Sequence, residues 1–126
     1  MEFGAAAKRV MEHIREEYGA VPDYPWDDGN AVFRHSGSRK WFALIMGGLS
    51  GRVLGLPEER RVDVLNLKCD PRVGGTLPDG RHFFPAYHMN KEHWISVVLD
   101  EEMPVEQVDS LIGFSYALTS GRKCPL

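Results

Sequence analysis

The sequence predicts an α+β fold, a two-layer sandwich whose N- and C-terminal helices pack on one face of a mainly antiparallel sheet of about five strands. Two observations lead to this prediction. An amphipathic helical repeat lies near each end of the chain, and a series of short apolar segments separated by turn residues lies between them. Helices that flank a run of strands in this way cover one face of the sheet. With 126 residues, the chain is expected to form one domain, 1–126.

The first helix is predicted over 4–18, where apolar residues recur at helical spacing and Gly19 supplies a stop. The stretch 20–30 follows with two prolines and an Asp-Gly-Asn corner, which predicts turns. Trp26 lies in this stretch, away from every predicted strand, and is expected to be exposed. Farther along, the glycines within 46–51 predict a mobile loop.

Five segments between the helices have the length and apolar content of strands, although the fourth contains Pro85, which limits ladder hydrogen bonding. The segments are 31–36, 40–48, 60–69, 82–88 and 93–100. The connection 70–80 opens with Asp-Pro, which predicts a short helix or an irregular turn. The last helix is predicted over 103–121, where Pro104 suits the first turn and Gly121 suits the stop.

The net charge of −3 argues against strong, indiscriminate binding of nucleic acid, because that affinity comes from neutralising phosphates. The charge is unevenly distributed, however. Residues 34–93 hold ten Lys or Arg against six Asp or Glu, and both flanking segments are acidic. Four of the five histidines lie in the same segment. Two alternatives follow: a locally basic surface on an acidic protein, or a mixed and solvated surface.

Cysteine usage and hydropathy predict a reduced, cytoplasmic protein. Cys69 and Cys124 lie far apart in sequence, so a disulfide framework is not expected. No apolar run approaches the ~20 residues of a membrane helix. The N-terminal residues have neither the basic segment nor the apolar core of an export signal. We therefore expect a monomer with no membrane partner.

The polar side chains give weak support to metal binding or catalysis. His88 and His93 are five residues apart, unlike the i, i+4 pair of a zinc-binding helix, so no metal and no cofactor is predicted. Cys69 could form a nucleophilic pair with a histidine, but no Gly-rich elbow or oxyanion loop accompanies it. No catalytic residue is assigned, and the protein is predicted not to be an enzyme.

The segment YHMNKEHW, residues 87–94, places many hydrogen-bonding and titratable groups directly before the clearest strand. Lys91 offers a charge and Asn90 a directional amide for contact with a phosphate. The alternative is that Asn90 closes the turn by bonding to the backbone, while Lys91 is merely solvated.

The motifs NLKCDP at 66–71 and YHMNKEHW at 87–94, together with Ser115-Tyr116, resemble the MmcQ/YjbR family of small bacterial proteins. The resemblance covers nearly the whole chain, and the Asn-Lys pair followed by His-Trp is its most distinctive element. It implies a fold like that of CyaY, the bacterial frataxin, and DNA binding through a double wing of hairpins. The CyaY-like fold also raises iron binding by the acidic residues of 12–17 as a minor alternative.

The resemblance and the basic middle segment together predict low-affinity, salt-sensitive DNA binding through hairpin loops and strand entrances. The residues assigned to this contact are Arg34, Arg39, Lys40, Lys68, Asn90, Lys91 and His93. The alternative is a protein-interaction or small-ligand module that binds no nucleic acid. Its pocket is assigned to Tyr87, His88, Asn90 and Trp94. Convergence of the positive side chains on one face would favour DNA.

Overall fold

Three helices, a short 3-10 turn and five strands form residues 3–120, the part of the chain that the computed structural model describes. In chain order they are α1 (Ala5–Tyr18), β1 (Ala31–Arg34), β2 (Trp41–Ser50), the 3-10 turn (Gly51–Leu54), β3 (Arg61–Lys68), α2 (Pro71–Thr76), β4 (Phe83–Pro85), β5 (Trp94–Leu99) and α3 (Val105–Leu118). Within this range, no helix combines the length and the apolar character needed to span a bilayer. Gly121, the predicted stop of the last helix, lies outside the described residues.

The five strands form one open sheet in the order β1-β2-β3-β5-β4, and every pair of neighbours is antiparallel. After β3 the chain passes through α2 and reaches the edge of the sheet as β4, and β5 then inserts between β3 and β4. Pro85 ends the edge strand, where a missing backbone donor is tolerated. The predicted α+β class and antiparallel sheet are confirmed.

Both long helices pack on one face of the sheet, as predicted. Their inward side chains follow helical spacing and join inward residues of all five strands in one apolar core. The buried helical residues of this core are Ala7, Val10, Ile14, Val108 and Ile112. α1 ends at Gly19, whose φ of 65° is the left-handed conformation that glycine adopts most readily.

The opposite face of the sheet, called the open face below, carries a second apolar cluster. Its buried members are Val32, Leu44, Met46, Val62, Val64, Phe84 and Val98. The partly buried residues packed over them include Trp41, Tyr87 and the apolar side chains of 49–56. Because these covering segments are irregular, they leave cavities above the apolar floor.

The glycine pair Gly47-Gly48 lies in both the predicted strand 40–48 and the predicted mobile loop 46–51. The structure places the pair in β2, so the strand prediction is confirmed and the loop prediction was wrong. The register of β2 against β3 shifts between Met46 and Leu49, which marks a β-bulge. Gly48 has a φ of 62° and donates its backbone N–H to Asp63 Oδ1 at 2.9 Å. The glycines therefore serve an irregularity within a strand that continues to its end at residue 50.

The connection 70–80 contains a short helix, which was one of the two predicted alternatives. Asp70 caps α2, because its Oδ1 accepts the backbone N–H of Arg72 at 2.9 Å. Pro71 occupies the first turn, where its missing N–H costs no intrahelical bond.

His35 joins the chain just after β1 to the end of α3. Its Nε2 lies 2.8 Å from Thr119 Oγ1, and its ring centroid lies 4.2 Å from that of Tyr116. Burial lowers the pKa of His35 below its usual value. The charge of Lys40 also lowers this pKa, and a hydrogen bond with the backbone of Tyr116 opposes both effects. The folded protein therefore favours the neutral imidazole.

The free energy of unfolding is therefore expected to fall as the pH drops below about 6.5, the usual pKa of an unfolded histidine. In that range the unfolded chain binds a proton at His35 that the folded protein binds less readily. Urea unfolding at about pH 7.5 and about pH 5.5 should show a larger loss for the wild type than for His35→Gln. Equal losses in the two proteins would contradict this role of His35.

Candidate nucleic-acid interface

The seven residues assigned to nucleic-acid contact all lie at one end of the sheet, called the cation end below. In an antiparallel sheet, each strand ends at the side where its neighbour begins, so alternate strand starts and strand ends meet at the same end of the sheet. Arg34 at the end of β1 pairs in register with Trp41 at the start of β2. Lys68 at the end of β3 pairs with Trp94 at the start of β5. The hairpin before β2 and the loop before β5 add Arg39, Lys40, Asn90, Lys91 and His93.

Four side chains at the cation end alternate between positive charge and aromatic ring across four neighbouring strands. They are Arg34, Trp41, Lys68 and Trp94, called the strip below. Alternation along the strands assigns them to the open face, because the neighbouring residue of each within its strand belongs to the helix-side core. Lys68, at the end of its strand, also lines a groove between α2 and α3. Arg34 Cζ is 5.5 Å from the ring centroid of Trp41, and Lys68 Nζ is 5.5 Å from that of Trp94. Both distances allow cation–π attraction.

One carboxylate neutralises part of the positive charge at the cation end. Asp23 Oδ2 lies 3.0 Å from Arg34 Nε and 3.9 Å from a terminal nitrogen of Arg39. The Arg34 side chain is 21% exposed, whereas that of Arg39 is 63% exposed. The ion pair therefore fixes Arg34 against the sheet, while Arg39 and the neighbouring Lys40 remain open to solvent.

The polar residues of the loop before β5 hold that loop together. Asn90 Oδ1 accepts the backbone N–H of Glu92 at 2.8 Å and that of His93 at 3.3 Å. Lys91 Nζ donates to the carbonyl oxygen of Ala86 at 2.8 Å. The turn-closing alternative for Asn90 thus agrees with the geometry, whereas Lys91 is bonded to the backbone instead of being merely solvated. His93 Nε2 lies 4.0 Å from Glu92 Oε2.

Two buried polar residues on the open face anchor the same loop. Asn66 and Ser96 lie opposite each other on β3 and β5. Ser96 Oγ donates to Asn66 Oδ1 at 2.6 Å and accepts the N–H of Tyr87 at 2.8 Å. Asn66 Nδ2 donates to the carbonyl oxygen of Tyr87 at 2.9 Å. Sequence reasoning missed this network, although a polar residue inside each of two apolar strands was an available signal.

A cavity of about 360 Å³ shares Trp41 with the strip and is called the open-face cavity below. It is lined by Trp26, Asp28, Asn30, Trp41, Leu44, Met46, His88 and Met89. Trp26 is 43% exposed, as its position in the sequence predicted. His88 has a φ of 65°, a left-handed conformation that is uncommon for a residue with a side chain.

Only His88, of the four residues assigned to the alternative pocket, lines the open-face cavity. Tyr87 lines a neighbouring cavity of about 230 Å³. Asn90 and Trp94 line neither cavity, because Asn90 bonds to its own turn and Trp94 packs beside Lys68. The four residues therefore do not form one pocket as assigned.

A groove of about 560 Å³ lies between α2 and α3, and Cys69 lines it. Burial raises the pKa of the Cys69 thiol, and the charge of Asp70 adds to this effect, while Lys68 and a backbone hydrogen bond with Gly74 oppose it. A thiol with a raised pKa stays protonated at neutral pH, whereas a nucleophilic cysteine needs a lowered pKa. Cys124, the second cysteine, lies outside the described residues.

Several histidines and carboxylates in residues 3–120 form ion pairs or hydrogen bonds with nearby side chains. His82 Nε2 lies 2.9 Å from Asp100 Oδ1, and Glu12 pairs with Arg15. In this part of the chain, no three His, Cys, Asp or Glu side chains are grouped in a way that could hold a metal ion.

The family model YjbR matches residues 15–118, which include all five strands and α3. The chain belongs to the YjbR family. One YjbR relative is the Bacillus subtilis (strain 168) protein named "Uncharacterized protein YyaQ", which is 43% identical over 112 residues, or 87% of this chain and 94% of YyaQ. "Uncharacterized protein YbdF" from Escherichia coli O157:H7 is 37% identical over 75 residues, or 56% of this chain and 59% of YbdF.

Solved structures support the YjbR fold. A crystal structure of a Pseudomonas syringae protein matches with a TM-score of 0.84 and 39% identity, covering 89% of this chain and 97% of the other. The Deinococcus radiodurans protein DR2400, with a DUF419 domain, matches with a TM-score of 0.69 and 26% identity, covering 92% and 79%. The likeness to CyaY and the double wing stay predictions.

Proposed function

We propose that this YjbR protein binds DNA and holds a single strand along the strip at the cation end. The observation that carries the proposal is the alternation of cation and aromatic ring across four neighbouring strands. Proteins that bind single strands combine cations, which neutralise phosphates, with aromatic rings, on which bases stack. The strip offers both kinds of group at the cation end of a hydrogen-bonded sheet.

A single strand suits this surface better than a duplex. Trp41 and Trp94 are half-buried in the sheet, so the exposed parts of their rings can meet unstacked bases but not bases inside a duplex. Asp23 also neutralises part of the charge that a densely charged duplex would require. Arg39 and Lys40 extend the contact onto the hairpin, so the hairpin contribution predicted from the sequence is retained.

In this proposal the protein is a cytoplasmic monomer that binds its ligand without catalysing a reaction. The strip lies on one sheet and is complete without a second copy of the chain. The raised pKa of Cys69 supports the absence of thiol chemistry, because a protonated thiol is a poor nucleophile.

Fluorescence anisotropy of labelled oligonucleotides tests the proposal. A mixed-sequence single strand, the matching duplex and an RNA of the same sequence are titrated with the protein at low ionic strength. We expect the DNA single strand to bind more tightly than the duplex, because stacking on Trp41 and Trp94 needs free bases. The affinity should fall as salt is added, because bound phosphates release counterions.

Absence of binding to any oligonucleotide at tens of micromolar protein would remove the proposal and leave the protein-interaction or small-ligand alternative. Preference for the duplex would contradict the strip as the contact surface. Stacking groups do not distinguish the two sugars, so tighter binding of RNA would mean that the protein recognises the 2′-hydroxyl group. That result would contradict DNA as the ligand.

A further inference from the structure

The open-face cavity has the size and lining of a small-ligand site. Its volume of about 360 Å³ lies near the lower end of the range for such sites. Most of the lining is apolar or aromatic, and a few polar groups could fix the orientation of a ligand. Since Trp41 belongs to both the strip and the cavity, a strand that follows the strip passes the cavity entrance.

The aromatic walls favour a flat ligand. Trp26 and Trp41 meet edge to face, with ring centroids 5.6 Å apart and planes inclined by 79°. A planar ring can stack on one indole while its edge meets the other. Leu44 and Met46 supply the apolar floor, and His88 supplies a third ring from the loop before β5.

The loop that carries His88 is held in place before any ligand binds. Tyr87 is bonded through its N–H and its carbonyl oxygen to Ser96 and Asn66. The rings of Tyr87 and His88 lie 3.9 Å apart between centroids. A residue with a side chain keeps a positive φ only where its surroundings fix it, and such positions are concentrated at ligand sites.

The carboxylate of Asp28, in the cavity lining, determines which hydrogen-bonding groups a ligand can present to it. Asp28 Oδ1 accepts the backbone N–H of Asn30, and Asp28 Oδ2 accepts Asn30 Nδ2, each at 3.0 Å. These two bonds orient the carboxylate, and each oxygen retains capacity to accept a further hydrogen bond. Asn30 Oδ1 already accepts a hydrogen bond from the backbone N–H of Gly47 at 3.3 Å. The ligand edge that meets Asp28 must therefore donate.

We infer that the open-face cavity binds an unstacked nucleobase that carries an exocyclic amino group. The amino group donates to Asp28, in the way that acidic side chains accept from the N4 amino group of cytosine. A base with a carbonyl at the same position presents an acceptor to the carboxylate and is rejected. The inference rests on the proposed function insofar as the base belongs to a bound DNA strand.

Deoxycytidine and deoxyuridine test this inference, and neither carries a phosphate. Deoxycytidine has an amino group at C4 and an unprotonated N3, whereas deoxyuridine has a carbonyl at C4 and an N3–H flanked by two carbonyl acceptors. Each is titrated at millimolar concentration into ¹⁵N-labelled protein, and the indole N–H signals of Trp26, Trp41 and Trp94 are followed. Deoxycytidine should shift the signals of Trp26 and Trp41 and leave Trp94 unchanged, and deoxyuridine should shift them far less.

Asp28→Asn should weaken deoxycytidine binding by about tenfold, because it replaces one acceptor oxygen with a donor. Asp27→Asn is the matched control, since Asp27 is an exposed neighbouring carboxylate that does not line the cavity. Equal binding of the two nucleosides, equal effects of the two substitutions, or unchanged Trp26 and Trp41 signals would each overturn the inference.

The inference and the proposed function can fail separately. An oligonucleotide that shifts Trp94 but not Trp26, with no nucleoside bound, supports the strip and overturns the base site. Selective deoxycytidine binding without oligonucleotide binding supports the cavity as a nucleoside site and removes the DNA proposal.

Discussion

Replacing Ser115 with alanine is expected to lower the free energy of unfolding by about 2–4 kcal/mol. The buried hydroxyl donates to the carbonyl oxygen of Phe42 at 2.5 Å and accepts the N–H of Lys68 at 2.9 Å. Phe42 and Lys68 lie one position beyond Ala43 and Leu67, where the pairing of β2 with β3 stops, so the α3 hydroxyl bridges the two strands there. Alanine leaves both backbone groups without this partner in a buried site, and each loss costs about 1–3 kcal/mol.

Ser110→Ala on the same helix is the matched control, because Ser110 is exposed. We expect this substitution to change stability by less than about 0.5 kcal/mol. Urea unfolding followed by circular dichroism measures both variants. If Ser115→Ala proved as stable as the wild type, the bridging role of the hydroxyl would be wrong.

Trp94→Leu should weaken single-stranded DNA binding about tenfold, which is within the range for loss of one stacking ring. Leucine keeps an apolar, though smaller, side chain at this half-buried position and removes the ring face that a base would contact. Lys68→Gln should also weaken binding, because it removes one cation from the strip and keeps much of the side-chain length. Anisotropy titrations against the same oligonucleotide compare these variants with the wild type.

Arg81→Gln is the matched control for charge. Arg81 is exposed and precedes β4, at the end of the sheet opposite the cation end. Arg81→Gln changes the net charge by the same amount as Lys68→Gln but should leave the affinity for single-stranded DNA nearly unchanged. Equal losses from the two substitutions would indicate that net charge, not the strip, governs binding.

Sequence patterns predicted the helices and strands well because these elements depend on local periodicity. α1 and its stop at Gly19, and the strand at Trp94–Leu99, could be read directly from the spacing of apolar residues. The bulge at Gly48 could not, because its hydrogen bond reaches Asp63 on another strand. A glycine pair taken alone indicates a loop as readily as a bulge.

The candidate site was predictable in location but not in detail. The assigned cations flank strand ends, and an antiparallel sheet brings alternate strand ends together. The ion pair of Arg34 with Asp23 depends on an isolated β-bridge between Asp23 and Val32, which the sequence does not indicate. The open-face cavity brings together Trp26 and His88, which are sixty-two positions apart in the chain. The polar loop before β5 attracted attention as a ligand site, yet much of its polarity holds the loop itself.

The dependence of single-stranded DNA affinity on salt tests most directly whether strip cations neutralise phosphates. For the wild type we expect the logarithm of the binding constant to fall linearly with the logarithm of the salt concentration. The slope should be about −2 to −3, for three or four phosphates contacted by the two strip cations together with Arg39 and Lys40 of the hairpin. Lys68→Gln should make this slope shallower by about 0.7, the contribution of one phosphate. A slope that is the same in both proteins would contradict the account.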